Sequence, residues 1–87
     1  MSNADGGSGT KVLLLNDDET PLDFVVHVLE SIFGMTLHEA TKLMLEIHHE
    51  GRGDCGTYTA GQAADIVAQV TALAGEHGHP LRCVSQA

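Results

Sequence analysis

Six histidines and two cysteines are the residues that most suggest chemistry, because imidazole nitrogen and thiolate sulfur are the usual ligands of zinc. Those that could act together are His48, His49, Cys55, His77, His79 and Cys83. Structural zinc sites need closely spaced pairs such as Cys-x-x-Cys, and this chain has none. Each cysteine lies alone in a predicted strand, where a buried thiol behaves as a small hydrophobic group. We therefore predict no metal and no cofactor; stoichiometric zinc in the purified protein would instead favour a metal-binding domain.

Catalytic groups are equally hard to assemble from this sequence. A cysteine nucleophile needs an exposed thiol beside a positive group, and the chain has only four lysines and arginines in total. Asp17 and Asp18 are adjacent carboxylates, but paired acids in a turn usually serve as solvated turn formers. No glycine-rich phosphate-binding loop precedes a helix. The sequence predicts a protein that is not an enzyme.

The segment Asn16-Asp17-Asp18-Glu19 is the strongest candidate for a binding site. It precedes a helix start, where the helix dipole favours negative charge, but that role needs a single acid. Four acceptor-rich residues together would attract a cation. His48 lies at the edge of an apolar helix face, where a histidine is otherwise an ordinary boundary residue. Together these residues indicate a shallow apolar pocket rimmed by acceptors, suited to an ammonium group attached to a hydrophobic side chain.

Three helices and three strands are expected to position these residues. Helix starts are marked by three capping boxes, namely Thr20 with Asp23, Thr36 with Glu39, and Thr59 with Gln62. Apolar residues at helical spacing follow each start, and Gly34 and Gly51 are expected to end the first two helices. Strands are predicted at Val12–Leu15, Arg52–Tyr58 and Leu81–Val84. The predicted order is β-α-α-β-α-β, an α+β fold.

Length and composition exclude several classes of function. A chain of 87 residues forms one small domain, and its net charge of −8 argues against a nucleic-acid partner. The longest apolar run, Val12–Leu15, is far shorter than the ~20 residues of a membrane span. The polar, glycine-rich start does not resemble a signal peptide. Two cysteines do not form a disulfide scaffold, so the expected compartment is the reducing cytoplasm.

The first ten residues are expected to lie outside the folded domain. Met1–Thr10 is rich in glycine, serine and aspartate without periodicity, and Ser2-Asn3-Ala4 is typical of a cloning remnant. We therefore predict a disordered tail over residues 1–10 and an ordered domain over residues 11–87.

Four motifs of this domain resemble the signature of the ClpS family, the adaptors of ATP-dependent Clp proteases. The motifs are Asn16-Asp17-Asp18-x-Thr20-Pro21-x-x-Phe24-Val25-Val26, Ala40-Thr41-x-x-Met44-Leu45-x-x-His48, Gly51 with Cys55-Gly56, and His79-Pro80-Leu81-x-Cys83. Their order matches the family from Lys11 to Val84. The resemblance implies a small sandwich in which a three-stranded antiparallel sheet packs against three helices. It also implies an adaptor that binds N-degrons, substrates with a large hydrophobic first residue, and delivers them to a Clp-family AAA+ unfoldase.

The resemblance also implies roles for individual residues. Asn16 and His48 match residues that hydrogen-bond the substrate α-amino group, and Asp18 matches one that holds it partly through water. Asp17 and Thr20 match positions near the first and second residues of the peptide. The apolar lining that receives the first side chain matches Leu22, Val25, Met44, Ile47 and Leu81. The expected partners are proteins that begin with Leu, Phe, Tyr or Trp, together with a Clp unfoldase.

Two departures from the family pattern affect these expectations. Leu22 occupies a position at the pocket gate where the family commonly has Met, so the branched side chain is expected to reshape specificity. Gly61, Ala64 and Ile66 occupy positions where the family carries charged residues that dock the unfoldase. Such departures are typical of a divergent paralogue.

The rival interpretation is a plain interaction module, which docks a partner helix in the groove between Leu22 and Met44 without recognising an amine. We expect a monomer in either case.

Overall fold

The computed structural model describes residues 9–87, in which helices and strands follow the order β-α-α-β-α-β. The strands are β1 (Thr10–Leu15), β2 (Arg52–Tyr58) and β3 (Arg82–Gln86), and the helices are α1 (Leu22–Ser31), α2 (Leu37–Glu50) and α3 (Ala60–Glu76). The predicted order is therefore confirmed. The predicted start of the domain at Lys11 is one residue late, because Thr10 already pairs with Tyr58. Residues 1–8 of the predicted tail lie outside the described residues.

Strand β1 is the centre of an antiparallel sheet with the strand order β2-β1-β3. Val12 and Leu14 have no exposed surface and face the helices, as expected for alternate positions of a half-covered strand. Leu14 lies opposite Gly53 on one side and Cys83 on the other. Strand β3 begins at Arg82, one residue later than predicted, and continues to Gln86 because its pairing with β1 extends to Lys11.

A glycine allows helix α2 to approach strand β2 closely. A Cβ atom added to Gly53 would lie 2.5 Å from Cγ1 of Ile47 and 2.9 Å from Cδ1 of Leu43. Real Cβ atoms do not come this close to other carbon atoms, so only glycine fits without displacing the helix. The contact fixes the position of α2, which carries one wall of the site described below.

Two of the three predicted capping boxes are present. Thr36 and Thr59 each accept the N3 backbone N–H and begin α2 and α3, and Gly51 ends α2 in the left-handed conformation with φ 92°. The box predicted at Thr20 and Asp23 is wrong. Pro21 is the N-cap of α1 and no side chain caps this helix. Thr20 lies one residue before the N-cap, and its hydroxyl donates to a carboxylate oxygen of Asp17.

Both cysteines belong to the core that lies between the sheet and the helices. Cys55 and Cys83 are free thiols that are 4% and 6% exposed. Burial raises the pKa of Cys55 to about 12 and that of Cys83 to about 11, so both stay protonated at neutral pH.

Over residues 9–87, no helix has the length and apolar character needed to cross a membrane.

Candidate functional site

A pocket lies at the end of β1, where the chain leaves the sheet toward α1. Its lining consists of Leu15, Asn16, Asp17, Thr20, Leu22, Val25, Met44, Ile47 and Leu81. Eight of the ten predicted site residues are thus brought together. Leu15 was missed because it was assigned to the strand alone. Its position directly before Asn16, at the strand end, is the sequence signal that could have identified it.

The polar and apolar sides of the pocket come from different elements. Leu22 and Val25 are three residues apart on α1, and Met44 and Ile47 have the same spacing on α2, so each pair shares one helix face. The polar side comes from the segment after β1. This segment is tied to the end of α2 by a hydrogen bond of 2.9 Å from the backbone N–H of Asn16 to the carbonyl of Gly51.

The carboxylate of Asp17 is the most constrained polar group of the pocket. Its Oδ2 accepts from the backbone N–H of Glu19 at 3.1 Å, from that of Thr20 at 2.8 Å, and from the Thr20 hydroxyl at 3.0 Å. Burial opposes ionisation of Asp17, but these hydrogen bonds, with a smaller contribution from the charge of His79, outweigh it and hold its pKa below the usual value. Its Oδ1 is buried and has no hydrogen-bond partner among the described residues. Asp17 is therefore a fixed, ionised group with one oxygen free to accept a donor.

The apolar part of the pocket is almost closed. The space that the centre of a water molecule can reach is about 10 Å³, on the order of one water. Ile47 and Val25 are 2% and 5% exposed at its inner wall, whereas Leu22 is 39% exposed at its mouth. A ligand side chain of the size of Leu or Phe can enter only when the mouth opens. Leu22 and Met44 are the side chains free to move, the latter because of its flexible thioether chain.

Two predicted site residues, Asp18 and His48, lie outside the pocket lining. Both are exposed, and the His48 ring packs edge-on against that of His49 with 5.4 Å between ring centres. Helix α2 turns Ile47 into the pocket, and the next residue is rotated toward solvent. A role for Asp18 and His48 in ligand binding stays a prediction.

The histidines among the candidate zinc ligands form separate pairs, His48 with His49 at 5.4 Å and His77 with His79 at 6.3 Å between ring centres. Within residues 9–87, no three His, Cys, Asp or Glu side chains are arranged so that they could hold a metal ion. The pocket places apolar walls next to a carboxylate and an amide that favour a hydrogen-bond donor, an arrangement suited to recognition of an apolar group that carries such a donor.

Comparison with known proteins agrees with this geometry. Residues 8–84 match the model of the family described as "ATP-dependent Clp protease adaptor protein ClpS". ClpS 2 of Rhodopseudomonas palustris is 53% identical over 87% of this chain and 70% of its own length, and ClpS of Aromatoleum aromaticum is 54% identical over 87% and 74%. The structure of Agrobacterium tumefaciens ClpS2 bound to L-phenylalaninamide has a TM-score of 0.87 and 32% identity, covering 90% of this chain and 94% of that one. The predicted fold class is confirmed, and the chain belongs to the ClpS family of ATP-dependent Clp protease adaptor proteins.

Proposed function

We propose that this protein is a non-enzymatic adaptor that binds the N-terminal residue of substrate proteins and delivers them to a Clp-family AAA+ unfoldase. The observation that carries the proposal is the meeting of an apolar pocket with the fixed carboxylate of Asp17 and the side chain of Asn16. An ammonium group has three donors and no acceptor, so it needs converging acceptors. The ligand of A. tumefaciens ClpS2, L-phenylalaninamide, carries a free α-amine beside an aromatic side chain and would satisfy both halves of such a pocket.

The polar residues are assigned to the peptide end of the ligand. Asn16 and His48 accept from the α-amino group, and Asp18 holds it partly through water. Because the His48 side chain is exposed, it has to rotate from solvent toward the pocket when it accepts from the α-amino group. Asp17 and Thr20 lie beside the first and second residues of the peptide, and the unpartnered Oδ1 of Asp17 is available to a donor there. Each charge-assisted hydrogen bond contributes about 1.5–3 kcal/mol to binding.

The apolar residues are assigned to the first side chain of the substrate. Leu15, Val25, Ile47 and Leu81 form the inner wall, and Leu22 with Met44 forms the mouth. Burial of a Leu or Phe side chain contributes about 2–3 kcal/mol. After the costs of association, these contributions correspond to roughly micromolar affinity, which suits a ligand that must be handed over. We propose Leu, Phe, Tyr and Trp as the preferred first residues.

A panel of peptides that differ only in their first residue tests the proposal by fluorescence anisotropy. Peptides beginning with Leu or Phe are expected to bind at least ~10-fold more tightly than one beginning with Ala, because burial of the larger side chain is lost. Equal affinity across the panel would contradict the proposal. Met44→Ala should change the ranking, since it widens the mouth. Leu45→Ala is the matched control, because Leu45 follows on α2, is 45% exposed and does not line the pocket.

Delivery is the second half of the proposed function. We propose that the adaptor acts as a monomer in the cytoplasm. Its two cysteines are free and buried, which is typical of proteins from a reducing compartment. The test is degradation of a Leu-initiated reporter protein by purified Clp protease. Addition of the adaptor should accelerate degradation of this reporter and leave a Ser-initiated version unchanged.

A further inference from the structure

Gly51 does not line the pocket, yet its backbone is bonded to residues of both pocket sides. Its N–H donates to the carbonyl of Ile47 at 2.9 Å, and Ile47 belongs to the apolar wall carried by α2. Its carbonyl accepts from the backbone N–H of Asn16, also at 2.9 Å, and Asn16 belongs to the polar side. The two sides are therefore connected through the backbone of one residue.

The path of the chain brings the same two sides together at Gly51. It is the single residue between α2, which ends at Glu50, and β2, which begins at Arg52. Arg52 pairs with Leu15, the residue before Asn16. The exit from α2 and the exit from β1 thus lie side by side, and the conformation of Gly51 sets where Asn16 lies relative to the α2 wall.

Gly51 has a backbone conformation that residues with a side chain rarely adopt. Its φ is 92° and its ψ is −14°, in the left-handed region, where a Cβ crowds the following carbonyl. A Cβ added to Gly51 would meet no atom within 4 Å apart from its chain neighbours, so the backbone conformation alone disfavours a side chain here. An alanine is expected to relieve this strain by moving φ toward negative values. That movement would turn the carbonyl of residue 51 away from the N–H of Asn16.

We infer that Gly51 is a positioning residue for the ligand amine, an inference that rests on the proposed recognition of an N-terminal residue. Its left-handed conformation holds the Asn16 amide at the spacing from the α2 wall that one amino acid requires. The α-nitrogen and the Cβ of an amino acid are both bonded to Cα, so they are only about 2.5 Å apart. Hydrogen bonds form over a narrow range of roughly 2.7–3.2 Å. A shift of Asn16 by about 1 Å would therefore break the bond to the amine whenever the first side chain is fully seated.

A double-mutant cycle on residues 16 and 51 tests the inference, with a Leu-initiated peptide as the probe and anisotropy as the measurement. Asn16→Ala and Gly51→Ala are each expected to weaken binding at least ~10-fold, because one charge-assisted hydrogen bond is lost. The double variant should bind within about threefold of Gly51→Ala, since the displaced Asn16 side chain no longer contributes. Multiplication of the two single effects, or an Asn16→Ala variant that binds as the wild type does, would overturn the inference.

Two further variants distinguish positioning from a general loss of stability. Gly34 follows α1 with φ 69° and open space at its Cβ, so Gly34→Ala adds the same kind of strain away from the pocket. It should lower the urea midpoint about as much as Gly51→Ala does, and keep peptide affinity within about twofold of the wild type. Gly51→Asn should restore most of the affinity, because asparagine tolerates the left-handed conformation. Equal losses of affinity in Gly34→Ala and Gly51→Ala, or no recovery in Gly51→Asn, would show a structural role only.

The bond itself is tested by an ester in place of the peptide bond between Leu15 and Asn16, introduced by chemical synthesis. The ester removes the N–H of Asn16 and leaves Gly51 unstrained, so it applies even where Gly51→Ala folds poorly. We expect it to weaken peptide binding at least ~3-fold, and unchanged affinity would contradict the inference. Failure of the wild type to bind the peptide would instead contradict the proposed function. A wild type that binds, with independent effects at residues 16 and 51, would remove the positioning role and leave recognition of the N-terminal residue intact.

Discussion

Individual side chains of the pocket differ in how firmly the fold holds them. Asp17 is fixed by three hydrogen bonds to one oxygen, and its charge is stabilised before any ligand arrives. His48 is exposed and packs on His49 rather than on the pocket wall. Preorganised groups bind without a further ordering cost, whereas a mobile side chain loses rotamer freedom when it joins the ligand. Asp17 therefore forms a rigid part of the site, and His48 is a group that the ligand recruits.

Replacement of His48 by Ala tests this recruitment. We expect the variant to bind a Leu-initiated peptide about 1–3 kcal/mol more weakly, because one acceptor of the ammonium group is lost. Its free energy of unfolding should be nearly unchanged, since the side chain is exposed. His49→Ala is the matched control on the same exposed turn of α2, and should bind as the wild type does. Unchanged affinity in His48→Ala, measured by anisotropy, would remove His48 from the site.

At the scale of helices and strands, the contact between α2 and β2 places one wall of the pocket. Gly53→Ala would push a Cβ against Ile47 and Leu43, so the helix or the strand must shift. We expect a loss of about 1–3 kcal/mol in the free energy of unfolding, measured by urea denaturation, together with weaker peptide binding. Gly61→Ala on α3 is the control, because its Cβ meets no atom within 4 Å and a helical alanine should stabilise the fold by about 0.5–1 kcal/mol. Equal stability of the two variants would show that the close approach is not needed.

Among the helices and strands, some features could be predicted from the sequence and others could not. Thr36 and Thr59 cap their helices as their spacing indicates. Thr20 has the same spacing, but the helix begins one residue later than that spacing implies, with Pro21 as N-cap, and the Thr20 hydroxyl donates to Asp17. The lining of the pocket followed from matched motifs. The outward rotation of His48 depends on how α2 sits on the sheet, and no local pattern encodes it.

At the scale of the whole molecule, the pH dependence of stability in alkaline solution reflects two buried thiols, which are protonated in the folded state. Burial raises the pKa of Cys55 to about 12 and that of Cys83 to about 11, whereas an exposed cysteine in the unfolded chain ionises near pH ~8.5. The unfolded state therefore loses its thiol protons first as pH rises. Their contribution to stability is full below the unfolded pKa and is lost progressively toward the folded values. The half-buried Tyr58 hydroxyl, whose pKa is also raised by burial, acts in the same direction.

Urea denaturation at about pH 8 and about pH 10 measures this dependence. We expect the wild type to lose stability between the two conditions, and Cys83→Ala to lose less, because one of the two thiols is gone. A free energy of unfolding that is the same at both pH values would contradict the raised thiol pKa values.

The central claim, recognition of a free N-terminal residue, is tested most directly by acetylating the α-amine of a Leu- or Phe-initiated peptide. Acetylation removes the charge and two of the three donors, keeps the hydrophobic side chain, and adds bulk where Asn16 and Asp17 lie. Loss of at least two charge-assisted hydrogen bonds predicts an affinity at least ~100-fold lower by calorimetry or anisotropy. A generic apolar groove that docks a partner helix would bind the acetylated peptide equally well or better. Equal affinity for the free and the acetylated peptide would therefore contradict recognition of the N-terminal residue.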